Sequence, residues 1–120
     1  MAGRAIVLFA HGARDPDWAR PFRQLALELA ERLPGERVVL AFLELMQPSL
    51  AECVAALHGE GVQALRIVPV FFGSGGHVKE DLPRLTSEIQ KRFKEMKITL
   101  EPPVGEQPEV ISAIAKAIAG

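Results

Sequence analysis

The stretch AIVLFAHGARDP, residues 5–16, decides the fold. Its first six residues are apolar without interruption, too few for an ordinary helix and without the alternation of a strand that has one wet face. Such a run suits a strand buried on both faces, the environment of a parallel sheet covered by helices. It stops at His11-Gly12, and Asp15-Pro16 then marks a helix start, because proline is tolerated where its missing N–H has no partner to lose. RIVPVFF, residues 66–72, runs into GSGGHVKEDLP, residues 73–83, in the same way. Two buried strands therefore each deliver a histidine with adjacent glycine at their exit.

Outward from these stretches, strands are expected at residues 5–9, 38–43 and 65–72, with a brief fourth at 98–100. Trp18, Phe22, Leu25, Leu29 and Leu33 recur at helical spacing up to the Pro34-Gly35 stop, a helix of about four turns. Leu50, Val54 and Leu57 mark a shorter helix after Pro48. Leu82, Leu85, Ile89, Phe93 and Met96 mark a third from about residue 80, and EPPVGEQP, residues 101–108, reads as a loop. Val110, Ile111, Ile114 and Ile118 give a last helix an apolar stripe for the core or a partner chain. The order βαβαβαβα predicts an α/β fold, a doubly wound, four-stranded parallel sheet with helices on both faces, because parallel neighbours need crossover connections. In the flavodoxin-like order 2-1-3-4 ligands bind outside the carboxyl ends of the strands, where the order reverses. His11, His77 and Glu44, the last in FLELMQPS after the second strand, would then border one cleft.

With 120 residues, one domain over residues 1–120 with one core is expected. A formal net charge of −1 argues against nucleic acid or a membrane surface as partner. Cys53 is the sole cysteine, which excludes an internal disulfide or a thiolate cluster and fits a reducing, cytoplasmic compartment with Cys53 as core filler. The apolar run at residues 5–10 is too short for a signal-peptide core or a membrane span.

Two imidazoles and a carboxylate suit Co²⁺, Fe²⁺, Ni²⁺ or Zn²⁺, and three protein ligands leave coordination positions open. The glycines Gly12, Gly73, Gly75 and Gly76 permit tight turns and close approach of a flat or anionic ligand. Arg14, Arg20, Lys79 and Arg84 follow the histidines and could form a basic rim. Plainer readings compete: a histidine at a strand end can simply cap a turn, Glu44 can cap a helix or be solvated, and surface cations are usually only solvated. His58, near a helix C-terminus, needs no role beyond its charge there. GSGGH lacks the Lys-Ser/Thr of a phosphate loop and fails the dinucleotide glycine pattern. A Ser74-His77-Asp81 hydrolase would need one short loop to supply a whole triad, without the strand-to-helix nucleophile elbow.

LFAHGARDPDW and VPVFFGSGGHVKEDLP, with FLELMQPSL between them, resemble the small class II chelatases of cobalamin and siroheme synthesis, the sirohydrochlorin cobaltochelatase and ferrochelatase family. The likeness runs from residue 4 to about 93. It implies that His11 and His77 bind the metal and act on the macrocycle, that Glu44 assists as ligand or proton acceptor, and that Co²⁺, Fe²⁺ or Ni²⁺ is a substrate with no organic cofactor. Gly12, Arg14, Gly73, Ser74, Gly75, Gly76 and Lys79 would receive the acetate and propionate groups of the tetrapyrrole. Longer family members hold two such domains, so a single histidine pair implies a homodimer with the cleft between subunits. Ala13 stands where the family often has serine, which removes any hydroxyl role there. A metal- or tetrapyrrole-binding carrier, and a flavodoxin-like regulatory domain, are the competing readings.

Overall fold

The computed structural model describes residues 3–73 and 75–120, with His77 described by its backbone alone. Strand β1 is Arg4–Ala10, and after a 3-10 turn at Pro16–Ala19 comes helix α1, Arg20–Arg32. Then follow β2 (Arg37–Phe42), α2 (Leu50–Gly59), β3 (Ala64–Pro69), α3 (His77–Arg92), β4 (Lys97–Leu100), a second 3-10 turn (Val104–Glu106) and α4 (Pro108–Ala119). The four strands pair in parallel in the order β2-β1-β3-β4, so the expected topology is found and β1 is central.

Strand periodicity sorts the core onto two faces. Ala5, Val7 and Phe9 of β1 and Leu65 and Ile67 of β3 face Leu50, Cys53, Val54 and Leu57 of α2 and Leu82 and Ile89 of α3. On the other face Ile6, Leu8 and Val68 meet Ala26, Leu29 and Leu33 of α1. Both faces of β1 are thereby sealed, which is why its sequence is apolar throughout. Each fully buried side chain such as Phe9 contributes roughly 1.5–3 kcal/mol. Burial pushes the Cys53 thiol up to about 11, as a core cysteine should be.

Several boundaries differ from expectation for local reasons. The first helix divides into a 3-10 turn and α1, because Pro21 at the start of α1 has no N–H for an α-helical bond back into the turn. The 3-10 turn is capped by Asp15, whose carboxylate accepts from the Asp17 N–H at 2.9 Å. Helix α3 begins at His77, not near residue 80: Gly76 turns the chain at a φ of 57°, and the helix runs on through Pro83. Strand β3 ends at Pro69, although Val70 still donates to the Phe9 carbonyl at 2.8 Å. Helix α2 starts with a capping box in which Ser49 and Glu52 exchange backbone-to-side-chain bonds of 2.8 and 3.2 Å, so Ser49 and not Glu44 caps it.

Helix α4 stands apart from the two layers, and of the two expected settings for its apolar stripe, core or partner chain, the core is not the one found. Its principal contact is with the turn Val104–Glu106, and Ile111, Ile114 and Ile118 remain 45%, 39% and 82% exposed. Within the described chain it therefore does not cover the sheet. No described helix is long and apolar enough to cross a membrane.

Candidate metal centre

The carboxyl ends of β1, β2 and β3 form one rim, and the sequence candidates lie on it. His11 is the first residue beyond β1 and is exposed. Its ring lies on that of Phe71 at a centroid distance of 4.3 Å and an interplanar angle of 30°, and Phe71 in turn packs on Phe9 at 6.2 Å. Phe71 is only 5% exposed, so the imidazole rests on an aromatic support anchored in the core. Apolar periodicity alone places Phe71 in the core and does not show that its ring lies beneath that of His11.

Glu44 is held beside His11 through the backbone. The Leu43 N–H donates to the Ala10 carbonyl at 2.8 Å and the Glu44 N–H to the His11 carbonyl at 3.1 Å, continuing the ladder past the strand ends. Gly12, at a φ of 93°, packs so closely that a Cβ would collide with the Glu44 carbonyl oxygen. Here glycine is required twice over, by its backbone angle and by the neighbouring chain. The Glu44 side chain is exposed at this rim.

On the β3 side, residues 70–76 connect the strand to α3, whose first residue is His77. Because α3 starts at the carboxyl end of the sheet and runs back along it, the His77 backbone lies at the same end as His11. The His77 side chain and Ser74 lie outside the described residues. Among the described residues no three His, Cys, Asp or Glu side chains are grouped to hold a metal ion. Gly73 and Gly75 are exposed in the connection, and among the described residues no side chain caps the α3 N-terminus at Gly76. The partial positive charge of that terminus favours an anionic group at this end.

Gly105 of EPPVGEQP also belongs to the rim. The Gly105 N–H donates to the Phe71 carbonyl at 2.9 Å, and a Cβ there would collide with the Phe72 backbone. The second 3-10 turn is thus pressed against the β3 exit. Only spatial packing reveals this, since the segment is far from the histidines in sequence.

The expected basic rim is reduced. Arg20 is tied to Asp17 and Arg84 to Asp81 within their own turns. Arg14 and Lys79 are exposed on the rim and remain its cations without such a carboxylate partner among the described residues. A cavity of about 280 Å³ opens next to the site between Leu43 and the first turns of α3, at Val78, Leu82 and Leu85. His58 lies elsewhere, paired with Glu95 at 2.5 Å and stacked on Phe93 at 5.0 Å, so it staples α2 to the segment before β4. Its role is therefore more specific than a charge at a helix end.

The sequence profile of the CbiX family matches residues 5–120, all of the sheet but its first residue, together with the rim. The chain belongs to the CbiX family. It is 29% identical over 121 residues to a sirohydrochlorin cobaltochelatase of Saccharolobus islandicus strain Y.G.57.14, covering 94% of this chain and 91% of the relative. The structure of a CbiX protein from Marinobacter aquaeolei VT8 superposes with a TM-score of 0.86 at 30% identity, covering 97% of this chain and 94% of that one. The sirohydrochlorin chelatase SirB of Bacillus subtilis subspecies spizizenii, in complex with cobalt, matches with a TM-score of 0.77 at 25% identity. That match covers 99% of this CbiX-family chain and 50% of SirB, so this chain corresponds in extent to half of it.

Proposed function

We propose that this CbiX-family protein inserts a divalent metal, Co²⁺ or Fe²⁺, into sirohydrochlorin in cobalamin or siroheme biosynthesis. The observation that carries the reading is the support of His11: an imidazole raised on the Phe9–Phe71 stack at the exit of the central strand, with Glu44 joined to it by a 3.1 Å backbone bond. The cobaltochelatase and cobalt-bound chelatase relatives favour the same chemistry.

His11 and His77 hold the incoming M²⁺ as neutral imidazoles, with Glu44 as third ligand or as proton acceptor. Two pyrrole N–H protons leave as the metal enters, and imidazole and carboxylate are suitable bases near neutral pH. Open coordination positions let pyrrole nitrogens replace water or protein ligands stepwise. No organic cofactor is needed for this exchange. Gly12, Gly73, Ser74, Gly75 and Gly76 allow close approach of the macrocycle, while Arg14 and Lys79 meet its carboxylate arms.

The unit is one domain over residues 1–120, working as a homodimer in the cytoplasm. The dimer reading is supported by α4, whose isoleucines remain exposed on a helix that stands on the 3-10 turn at Val104–Glu106. A tetrapyrrole is about as broad as three or four strands at ~4.8 Å spacing, so a second copy would supply the lid that one sheet edge lacks. The buried single cysteine suits a reducing compartment.

Incubation of the purified protein with sirohydrochlorin and Co²⁺ or Fe²⁺ tests the proposal by absorbance. Multiple turnovers are expected, with loss in His11→Ala and His77→Ala. Binding that saturates at stoichiometric amounts would make the protein a carrier, and full rate in both variants would refute the mechanism.

A further inference from the structure

The seven large apolar side chains most exposed in the described chain divide unequally: Leu25 and Leu27 lie on α1 and three isoleucines on α4, but Leu45 and Phe72 lie on the rim, 58% and 68% exposed. Leu45 follows β2 and Phe72 follows β3, the two strands that flank β1. Leu45 directly follows the residue bonded to the His11 carbonyl, and Phe72 directly follows the ring that supports His11.

Neither side chain is exposed by looseness of its backbone. Leu45 has a φ of 65°, in a tight turn closed by the Met46 N–H donating to the Glu44 carbonyl at 2.8 Å. Positive φ is strained for a bulky residue, and glycine or asparagine would make and solvate this turn better. Phe72 is fixed by Gly105, which bonds the Phe71 carbonyl at 2.9 Å and leaves no room for a side chain of its own against the Phe72 backbone. The chain therefore sends Phe71 inward under His11 and Phe72 outward beside it.

We propose that Leu45 and Phe72 are the apolar contacts that seat the flat face of the tetrapyrrole above His11, one from each side of the central strand. Two strand spacings separate their chain segments, ~10 Å, a span that a planar macrocycle core bridges. Phe72 offers a π-face for offset stacking and Leu45 a branched aliphatic surface. The acidic arms of the same molecule then reach outward to Arg14 and Lys79. The inference rests on the chelatase reading above, since that reading supplies the flat ligand.

Titration of metal-free sirohydrochlorin into the dimeric or monomeric protein as purified, followed by absorbance, tests it with Phe72→Ala and Leu45→Asn. The asparagine tolerates positive φ, so the Leu45 variant should melt no lower than wild type. Macrocycle affinity should fall about tenfold for each variant, with a parallel rise in KM and kcat within about twofold. Co²⁺ affinity in the absence of macrocycle should be unchanged. Wild-type turnover together with unaltered macrocycle affinity in both variants would overturn this seat while sparing the chelatase reading. A parallel loss of Co²⁺ affinity would also overturn it, because the residues would then act through the metal centre. Failure of the wild-type protein to bind the macrocycle at all would overturn both.

Discussion

Phe71 offers the sharpest separation between folding and site geometry. It is 5% exposed, stacked between Phe9 and His11 at 6.2 and 4.3 Å. Truncation to alanine should cost about 3–5 kcal/mol, the usual range for a buried phenylalanine, because transfer and cavity terms add. With a denaturant slope of about 1–3 kcal/mol/M in urea, the midpoint should drop by roughly 1–5 M. Phe71→Leu retains an apolar side chain and should cost only about 1–1.5 kcal/mol. It nevertheless removes the flat support of the His11 imidazole, a contact of about 0.5–1.5 kcal/mol, so Co²⁺ affinity should fall about two- to twelvefold. Urea unfolding by circular dichroism and calorimetric Co²⁺ titration read the two effects separately. An unchanged urea midpoint in Phe71→Ala, or wild-type Co²⁺ affinity in Phe71→Leu, would refute the aromatic support.

Gly12→Ala should destabilise the fold by about 2–4 kcal/mol and abolish metal insertion, because the added methyl meets the Glu44 carbonyl oxygen at a backbone angle unsuited to alanine; thermal melting and the insertion assay would show both, and a fully active, equally stable variant would contradict it. Cys53, with its thiol pushed up to about 11 by burial, should resist alkylation at pH 8 in native protein and react on unfolding in urea, whereas rapid native labelling would place it at the surface. Glu95 is held below its ordinary value of 4.5, chiefly by the hydrogen bond from His58. A depressed carboxyl stabilises the fold above its unfolded value and loses that contribution as pH falls through the folded one. Glu95→Gln should therefore flatten the acid limb of stability below pH 4.5 while leaving metal insertion intact, and an identical acid limb in the variant would count against the pair.

The sheet was legible because β1 is sealed on both faces: an unbroken apolar run has few other homes, and the helices between strands fix parallel pairing. Histidine at the exit of such a run is equally visible, since topology alone carries His11 and the start of α3 to one edge. What escaped was settled by contacts remote in sequence. Phe71 looks like any strand residue until its ring is found under His11, and Gly105 is one loop glycine among several until the Phe72 backbone is found against it. The early start of α3 was hidden because the apolar spacing that marks the helix begins only at Leu82, five residues after its first turn opens. Arg20 and Arg84 read as rim cations, but each has a carboxylate three residues earlier, and local ion pairing takes them first. The stripe on α4 was plain in the sequence; that it faces away from its own sheet was not, because an apolar helix face does not state which molecule covers it.

X-ray absorption of the Co²⁺-loaded protein tests most directly whether His11 and His77 grip the same cation. Imidazole ligands should be detected around cobalt in the wild type, and their number should fall in His11→Ala and again in His77→Ala. An unchanged imidazole count in either variant would contradict a shared site.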